Sequence, residues 1–455
     1  MRLQVLTGAL IALSLAAPAL AQEAHQGHQH GAPAQADPHA GHSDHAAQPP
    51  QADPHADHDM SAQPETADHA MHAMTGLFGA YPMGRDGSGT SWQADVSEHG
   101  GVHAQRGGWM LMGHALLNAV YDYQGGPRGD EMGFLAGMVM GSARRDFAHG
   151  TLTFRAMLSP DPLMGEEGYP LLLAAGETAD GVNTLIDRQH PHDLFMELSA
   201  SYSHRLSDAD SVFLYAGLPG EPAYGPPAFM HRLSAMDSPE APITHHWMDS
   251  THITFGVLTA GYVHRNWKLE VSSFRGREPD EERYDIEEPR LDSTAVRVSW
   301  NPNENWSLQA SWADVESPEQ LEPDEDETRW SASAIYTRRV GEGWFSATAA
   351  FARKDRSDDI TLDAWFLEAA LRPNDDWTFF ARYEAIETDE LEGHHGDIED
   401  VSRLSAGAIR DWRVHDHVAI GLGALVSRNF VSDALDAAYD GDQTGAMAFV
   451  RLRVD

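Results

Sequence analysis

Cysteine is missing from all 455 residues. Its absence excludes disulfides, a thiolate metal site, a cysteine nucleophile and a lipid anchor on an N-terminal cysteine. Basic side chains are scarce, 31 Lys plus Arg against 70 Asp plus Glu, for a net charge of −39. A surface of that sign repels nucleic acid and attracts cations. Past the N-terminal stretch there is no apolar run long enough for a membrane-spanning helix. Catalytic signatures are missing too: there is no Gly-x-Ser-x-Gly elbow, no His-Glu-x-x-His helix and no phosphate-binding glycine loop. The expectation is a protein that is not an enzyme, with an outer-membrane hydrolase as the weakest alternative.

What is present begins with an export signal. Arg2 supplies the positive start, Leu3 to Leu20 the apolar stretch and Ala19-Leu20-Ala21 the small-residue cleavage site. This reads as a signal peptide over residues 1–21 and a mature chain from Gln22. Residues 22–75 hold almost no aliphatic side chains, too few to offset the entropy of ordering, so a disordered tail is expected there. Ten histidines stand in it: His25, His28, His30, His39, His42, His45, His55, His58, His69 and His72. They recur in units such as Asp37-Pro-His39-Ala-Gly-His42 and Asp53-Pro-His55-Ala-Asp-His58. Neutral imidazole binds copper, zinc and nickel, and acidic or thioether neighbours widen the choice. Metal capture is the functional reading of this tail; a solvated low-complexity linker is the plain one.

From Trp109 to the end the chain breaks into short segments apolar on one face and polar on the other. Trp306, Leu308, Ala310 and Trp312 oppose Ser307, Gln309 and Ser311; Val296, Val298 and Trp300 oppose Ala295, Arg297 and Ser299. Trp267, Trp300, Trp306, Trp330, Trp377 and Trp412 recur at segment ends. Strands of about ten residues with aromatic girdles predict an all-β fold, a transmembrane antiparallel β-barrel over residues 109–455. Sixteen such segments run from 109–122 to 443–454, with 251–263 among them. Short connections such as His264–Asn266 alternate with long ones such as Ser159–His192 and Gly220–Ser250, the habit of barrels with short periplasmic turns and longer outer loops. The parity puts both ends of the barrel, and hence the tail, on the periplasmic side. Residues 76–108 are left as a plug, a cap or an extra strand.

A sixteen-stranded barrel is wide enough for an aqueous lumen unless loops fold into it. The inward faces are expected to carry Arg155, Glu197, Lys268, Glu270, Arg297, Arg382 and Glu384. Charges of both signs in a spanning region need water or each other, which fits a channel or a lumen closed by polar loops. Two long outer loops hold His190, His192, His231, His245, His246 and His252, with Met230 and Met248. Histidine with thioether suits copper; histidine with carboxylate suits zinc or nickel. A metal-binding constriction over the lumen is one reading, and imidazoles simply hydrogen-bonded to carboxylates the other. His252 is placed at the start of a strand, pointing inward, while His394-His395 is a weaker outer-loop pair. Methionines of the first strands, such as Met138 and Met140, are expected to be packing.

The stretches Gly108-Trp-Met-Leu-Met112, Arg188-Gln-His-Pro-His192-Asp-Leu-Phe195, Gly225-Pro-Pro-Ala-Phe-Met-His231-Arg and Phe274-Arg-Gly-Arg-Glu-Pro279 resemble a family of poorly characterised proteobacterial outer-membrane barrels met with copper- and heavy-metal-resistance genes. A His- and Met-rich tail before a barrel also resembles the copper-resistance B-type outer-membrane proteins, although this barrel is longer and ends on Asp455 rather than an aromatic residue. The resemblance implies a cell outer-membrane location and a metal context, without an activity. The expected function is binding, buffering or passage of copper or related ions, with a general diffusion porin as the alternative. The expected partners are outer-membrane lipid, transition-metal ions, a second copy of the chain and a periplasmic metal-handling protein.

Overall fold

The computed structural model describes residues 75–98, 100–391 and 396–455. The expected signal peptide, the ten tail histidines and His394-His395 lie outside the described residues.

From Val102 on, alternation becomes strand pairing, interrupted by long connections. A short β1 (Val102–Arg106) folds against β2 (Trp109–Gln124), followed by β3 (Glu131–Phe147) and β4 (Gly150–Leu158). After an inserted hairpin of β5 (Tyr169–Thr178) and β6 (Thr184–Gln189) come β7 (Phe195–Arg205), β8 (Asp210–Gly217), β9 (Val257–His264) and β10 (Trp267–Phe274). The remaining strands are β11 (Ser293–Asn303), β12 (Trp306–Val315), β13 (Glu327–Val340), β14 (Gly343–Arg356) and β15 (Thr361–Asn374). Then follow β16 (Trp377–Thr388), β17 (Glu399–His415), β18 (Val418–Phe430) and β19 (Gln443–Val454).

β19 closes on β2 from Gly445↔Gln124 to Val454↔Ala115, and β1 takes up the same edge of β2 beyond it, from Gly113 to Trp109. With β5–β6 forming a separate two-stranded sheet, sixteen antiparallel strands close the ring. Closure leaves no unpaired edge in the wall, the condition for strands to lie in lipid. The outward face is apolar, with Leu269, Val271, Leu404 and Val450 exposed. Trp267 stacks on its register partner Trp300 at 4.9 Å, and Trp306 meets Tyr336 at 4.8 Å. Nearer the long loops Trp312 meets Trp330 at 6.3 Å. Trp306 and Trp312 mark the two girdles on one strand, about 20 Å apart at ~3.3 Å per residue. The chain is a closed sixteen-strand antiparallel β-barrel with a lipid-facing outer surface.

The inward row does carry the expected charges, but they do not face a water-filled channel. Glu270 lies 3.1 Å from both Lys268 and Arg297, Arg382 is 2.9 Å from Glu384, and Arg155 is 2.9 Å from Glu197. All are buried or nearly so. Two chain segments cover them.

The inner plug, residues 75–98, enters from the short-turn end, and the wall grips its main chain. Arg155 donates to the Gly89 carbonyl at 2.5 Å, Asn301 to that of Gln93 at 2.7 Å and Ser307 to that of Trp92 at 3.3 Å; Lys268 donates to that of Thr90. The stretch expected as plug, cap or extra strand is therefore a plug followed by the extra strand β1.

The outer plug is the β8–β9 connection, residues 218–256, folded inward from the long-loop end. Arg232 reaches Glu368 on β15 at 2.8 Å, Glu240 reaches Arg403 on β17 at 2.5 Å, and Asp237 pairs with Arg451 on β19. The two plugs meet: the Ala228 N–H donates to Ser88 Oγ at 2.8 Å, and Gln93 Nε2 to the His231 carbonyl at 3.0 Å.

Candidate metal centre

The outer plug carries its histidines on two consecutive turns. A single α-helical turn, α1 (His245–Met248), is followed by a 3-10 turn over Ser250–His252. The wall holds both: Glu384 accepts the Thr244 N–H and hydroxyl at 3.1 and 2.9 Å, and Arg329 donates to Ser250 Oγ at 3.0 Å. Gly225, at φ +70°, lies so close that a Cβ there would clash with the Met248 carbonyl oxygen. Asp249 is the hub. Its carboxylate accepts from Arg232 at 2.8 Å, from the Phe229 N–H at 2.9 Å and from His245 Nδ1 at 2.8 Å, while its carbonyl accepts from His252 Nδ1 at 2.7 Å. The assignment of His252 to a strand is corrected here. β9 starts only at Val257, because residues 250–256 pack between plug and wall with both faces buried.

His190 and His192 come from the β6–β7 connection, a loop position as expected, and point into the barrel rather than to lipid. His192 Nδ1 lies 2.8 Å from Asp161, whose other oxygen accepts the Gly137 N–H of β3 at 3.2 Å. His190 Nε2 lies 3.2 Å from Glu177 at the end of β5, and His246 Nδ1 3.6 Å from Glu278.

Five imidazoles are thus drawn together. Ring centroids stand 5.2 Å apart for His192–His252, 5.1 Å for His245–His252, 5.6 Å for both His245–His246 and His190–His246, and 6.3 Å for His190–His245. Two imidazoles sharing one ion at ~2.0 Å per nitrogen would have centroids about 5 Å apart. His231 lies lower, where the plugs meet.

Hydrogen bonding fixes the tautomers. A backbone carbonyl or carboxylate can only accept, so Nδ1 of His192, His245 and His252 carries the proton and Nε2 keeps a lone pair when the ring is neutral. The Nε2 atoms of His192 and His252 are buried without a hydrogen-bond partner. A buried orphan acceptor costs about 1–3 kcal/mol. Burial holds His252 and His190 well below the ordinary imidazole range, reinforced by neighbouring imidazoles and, for His190, by Arg283. His246 is pulled down to about 4 by burial in spite of Glu278. An imidazole anchored at one nitrogen by a carboxylate or carbonyl and free at the other is the usual pattern around a metal ion. Among the described residues, no three His, Asp or Glu side chains already converge on one point as a complete ligand set.

The anchors Asp161, Asp249, Glu177 and Glu278 were not singled out in the sequence, where nothing separates them from the many other acidic loop residues. Of the first-strand methionines, Met138 packs inward in a buried cluster with Met157, Met196 and Ile253, and Met140 and Met230 lie against it. Met248 packs elsewhere, in the main core beside Trp247.

No protein-family model and no curated protein matches the chain. Solved structures do. Salmonella typhi OmpF in complex with daunomycin is 11% identical with a TM-score of 0.48, over 77% of this chain and 100% of that one. An anion-selective porin from Comamonas acidovorans is 10% identical with a TM-score of 0.46, over 76% and 99%. The outer-membrane channel DcaP of Acinetobacter baumannii is 11% identical with a TM-score of 0.42, over 78% and 100%.

Proposed function

We propose that this protein is a plugged outer-membrane barrel that binds transition-metal ions at the histidine centre of its lumen and passes them when the plug moves. The observation that carries this reading is the meeting of His190, His192, His245, His246 and His252 from two separate outer loops, three of them anchored at Nδ1 and two with orphan Nε2 atoms. Plain packing has no need of five imidazoles in one buried site. The histidine tail, in this reading, captures ions on the periplasmic side and works with a periplasmic metal-handling partner; copper is the leading ion, zinc or nickel the next. Calorimetric titration of the purified full chain, with its ten tail histidines changed to Gln, tests the centre. It should bind about one Cu or Zn ion, and His192→Gln/His252→Gln should lose it. A chain that binds neither ion at micromolar concentration sinks the proposal.

The sixteen-strand ring favours a second reading, a general diffusion porin, because a wall of that size can enclose a water channel. Planar-bilayer conductance separates the two. A diffusion porin conducts steadily whether or not metal is added, whereas the plugged barrel conducts rarely and responds to metal.

A further inference from the structure

We propose that the short-turn rim of the barrel binds anionic phospholipid, holding headgroup phosphates on Arg145, Arg338 and Arg410. The inference is independent of the metal reading and concerns the outer face of the wall. Each of the three stands in the lipid-facing row of its strand and is exposed: Arg145 with Val139 and Phe147 on β3, Arg338 next in the row after Tyr336 on β13, and Arg410 with Leu404 and Trp412 on β17. All lie at the mouth where connections are short. Arg410 pairs in register with Trp377, the first residue of β16, Arg338 with Phe345 near the start of β14, and Arg145 with Leu152 near the start of β4. In the orientation read from the loop lengths, this mouth faces the periplasm.

Aromatic rings steady two of the guanidinium groups. Arg410 lies 5.5 Å from the ring centre of Trp377 and 5.4 Å from that of Trp412; Arg145 lies 5.7 Å from Trp109 and 5.5 Å from Phe147. A guanidinium drawn to ring faces still has its N–H donors to offer. Among the described residues, no carboxylate pairs with these three arginines. The nearby acids are taken by others: Asp146 by Arg144 at 3.0 Å, Asp411 by Arg451 at 2.6 Å and Glu98 by Arg339 at 2.8 Å. The opposite rim is built differently. Its lipid-facing arginines carry their own counter-charge, Arg353 through two hydrogen bonds of 2.7 and 2.8 Å from Asp363, and Arg428 through Asp442 at 3.4 Å.

The chain's charge is −39, and its only lysines, Lys268 and Lys354, are buried inside. Unpaired guanidinium groups along one rim therefore stand out against the rest of the molecule. A charge facing lipid is costly in hydrocarbon and nearly free at the interface, the level at which phosphodiesters lie. The planar guanidinium matches two phosphate oxygens at once. A zwitterionic headgroup brings its own cation to that phosphate, whereas an anionic one such as phosphatidylglycerol does not, so the anionic class is preferred. The competing reading is that these side chains merely snorkel to water beside their aromatic neighbours.

Native mass spectrometry of the purified full chain tests this, with phosphatidylglycerol and phosphatidylcholine of identical acyl chains offered together. Phosphatidylglycerol should be retained roughly tenfold more than phosphatidylcholine, and Arg145→Gln/Arg338→Gln/Arg410→Gln should remove most of that preference. Arg353→Gln/Arg428→Gln, on the opposite rim, should leave it unchanged. The substitutions spare the strand ladders, so the barrel should keep its heat-modifiable migration; if the triple variant does not fold, Arg410→Gln alone carries the comparison. Equal retention of the two lipids, or a preference that survives the triple change, overturns the inference. A preference lost equally in Arg353→Gln/Arg428→Gln overturns it as well, since net charge and not this rim would then be responsible. Displacement of the lipid by inorganic phosphate at millimolar concentration would overturn it by assigning the arginines to a free anion.

Discussion

Arg232→Met asks what keeps the outer plug seated. The guanidinium is fully buried and bridges Glu368 of the wall and Asp249 of the plug, both at 2.8 Å. Without it two carboxylates are left without their cation in the closed state, whereas an unseated plug gives both back to water. Breaking a buried pair costs about 3–5 kcal/mol. The low end applies here, since Ser234 still donates to Glu368 at 2.8 Å and His245 to Asp249. At ~1.4 kcal/mol per decade the unseated fraction should rise roughly a hundredfold. The strand ladders lie outside this exchange, so the barrel itself should stay folded. A chain with no cysteine of its own offers a clean readout. Ala235→Cys places a thiol at a buried plug position, and a membrane-impermeant maleimide added outside intact cells reports the unseated state through its labelling rate. Labelling should be slow while Arg232 is in place and faster by about two orders of magnitude or more in the Arg232→Met variant. Equal rates in two heat-modifiable, surface-expressed variants would refute the reasoning.

Gly225→Ala should unseat the same loop by about 1–3 kcal/mol, through the positive φ and the Met248 carbonyl clash, and should speed labelling at Ala235→Cys without affecting barrel assembly. Asn301→Leu removes two 2.7 Å hydrogen bonds to the inner plug, about 0.5–1.5 kcal/mol each; a thiol at Ser88→Cys should then react roughly tenfold faster in detergent. In the tail-substituted chain, protonation of buried His190 and His252 should not weaken metal binding between pH ~7.5 and ~5.5, because burial lets them take protons only well below the ordinary range. The extra capacity of the natural tail should fall steeply over the same window if its imidazoles titrate near pH ~6.5; parallel curves would contradict this. The sign for stability agrees: below pH ~6.5 the unfolded chain binds more protons at these positions than the folded one, so resistance to urea should fall as pH drops.

The wall was legible because each strand has only two faces. Every second residue meets lipid, and Trp306, Leu308, Ala310 and Trp312 announce that face directly. The plugs were less legible because neither repeats. Thr251-His252-Ile253-Thr254-Phe255 alternates like a strand, yet both its polar and apolar members are buried, so the pattern carries no lipid face to read. The β5–β6 hairpin was missed because Leu173, Glu177 and Asp187 take positive φ and break its register. The inner plug is recognised through the carbonyls of Gly89, Thr90, Trp92 and Gln93, groups that every residue possesses. The six loop histidines stood out as a group, though nothing in the sequence separated His231 from the five that gather; which acids would anchor them was not visible, because Asp161 and Asp249 are distinguished only by where the chain brings them.

The seal is assembled from two pieces with different covalent origins, one upstream of the first barrel strand and one between β8 and β9, joined at Ser88–Ala228 and Gln93–His231. Beyond that seam each piece holds its own contacts to the wall, the inner through Arg155 and Asn301 and the outer through Glu368 and Arg403. The barrel is in that respect built like a lock chamber with a door at each mouth: withdrawing the outer segment would expose the histidines at the long-loop mouth while the inner segment still bars the short-turn mouth, and the reverse order would face them the other way. In the reading proposed above, two doors opening one at a time would let single ions through without ever making a continuous hole in the membrane.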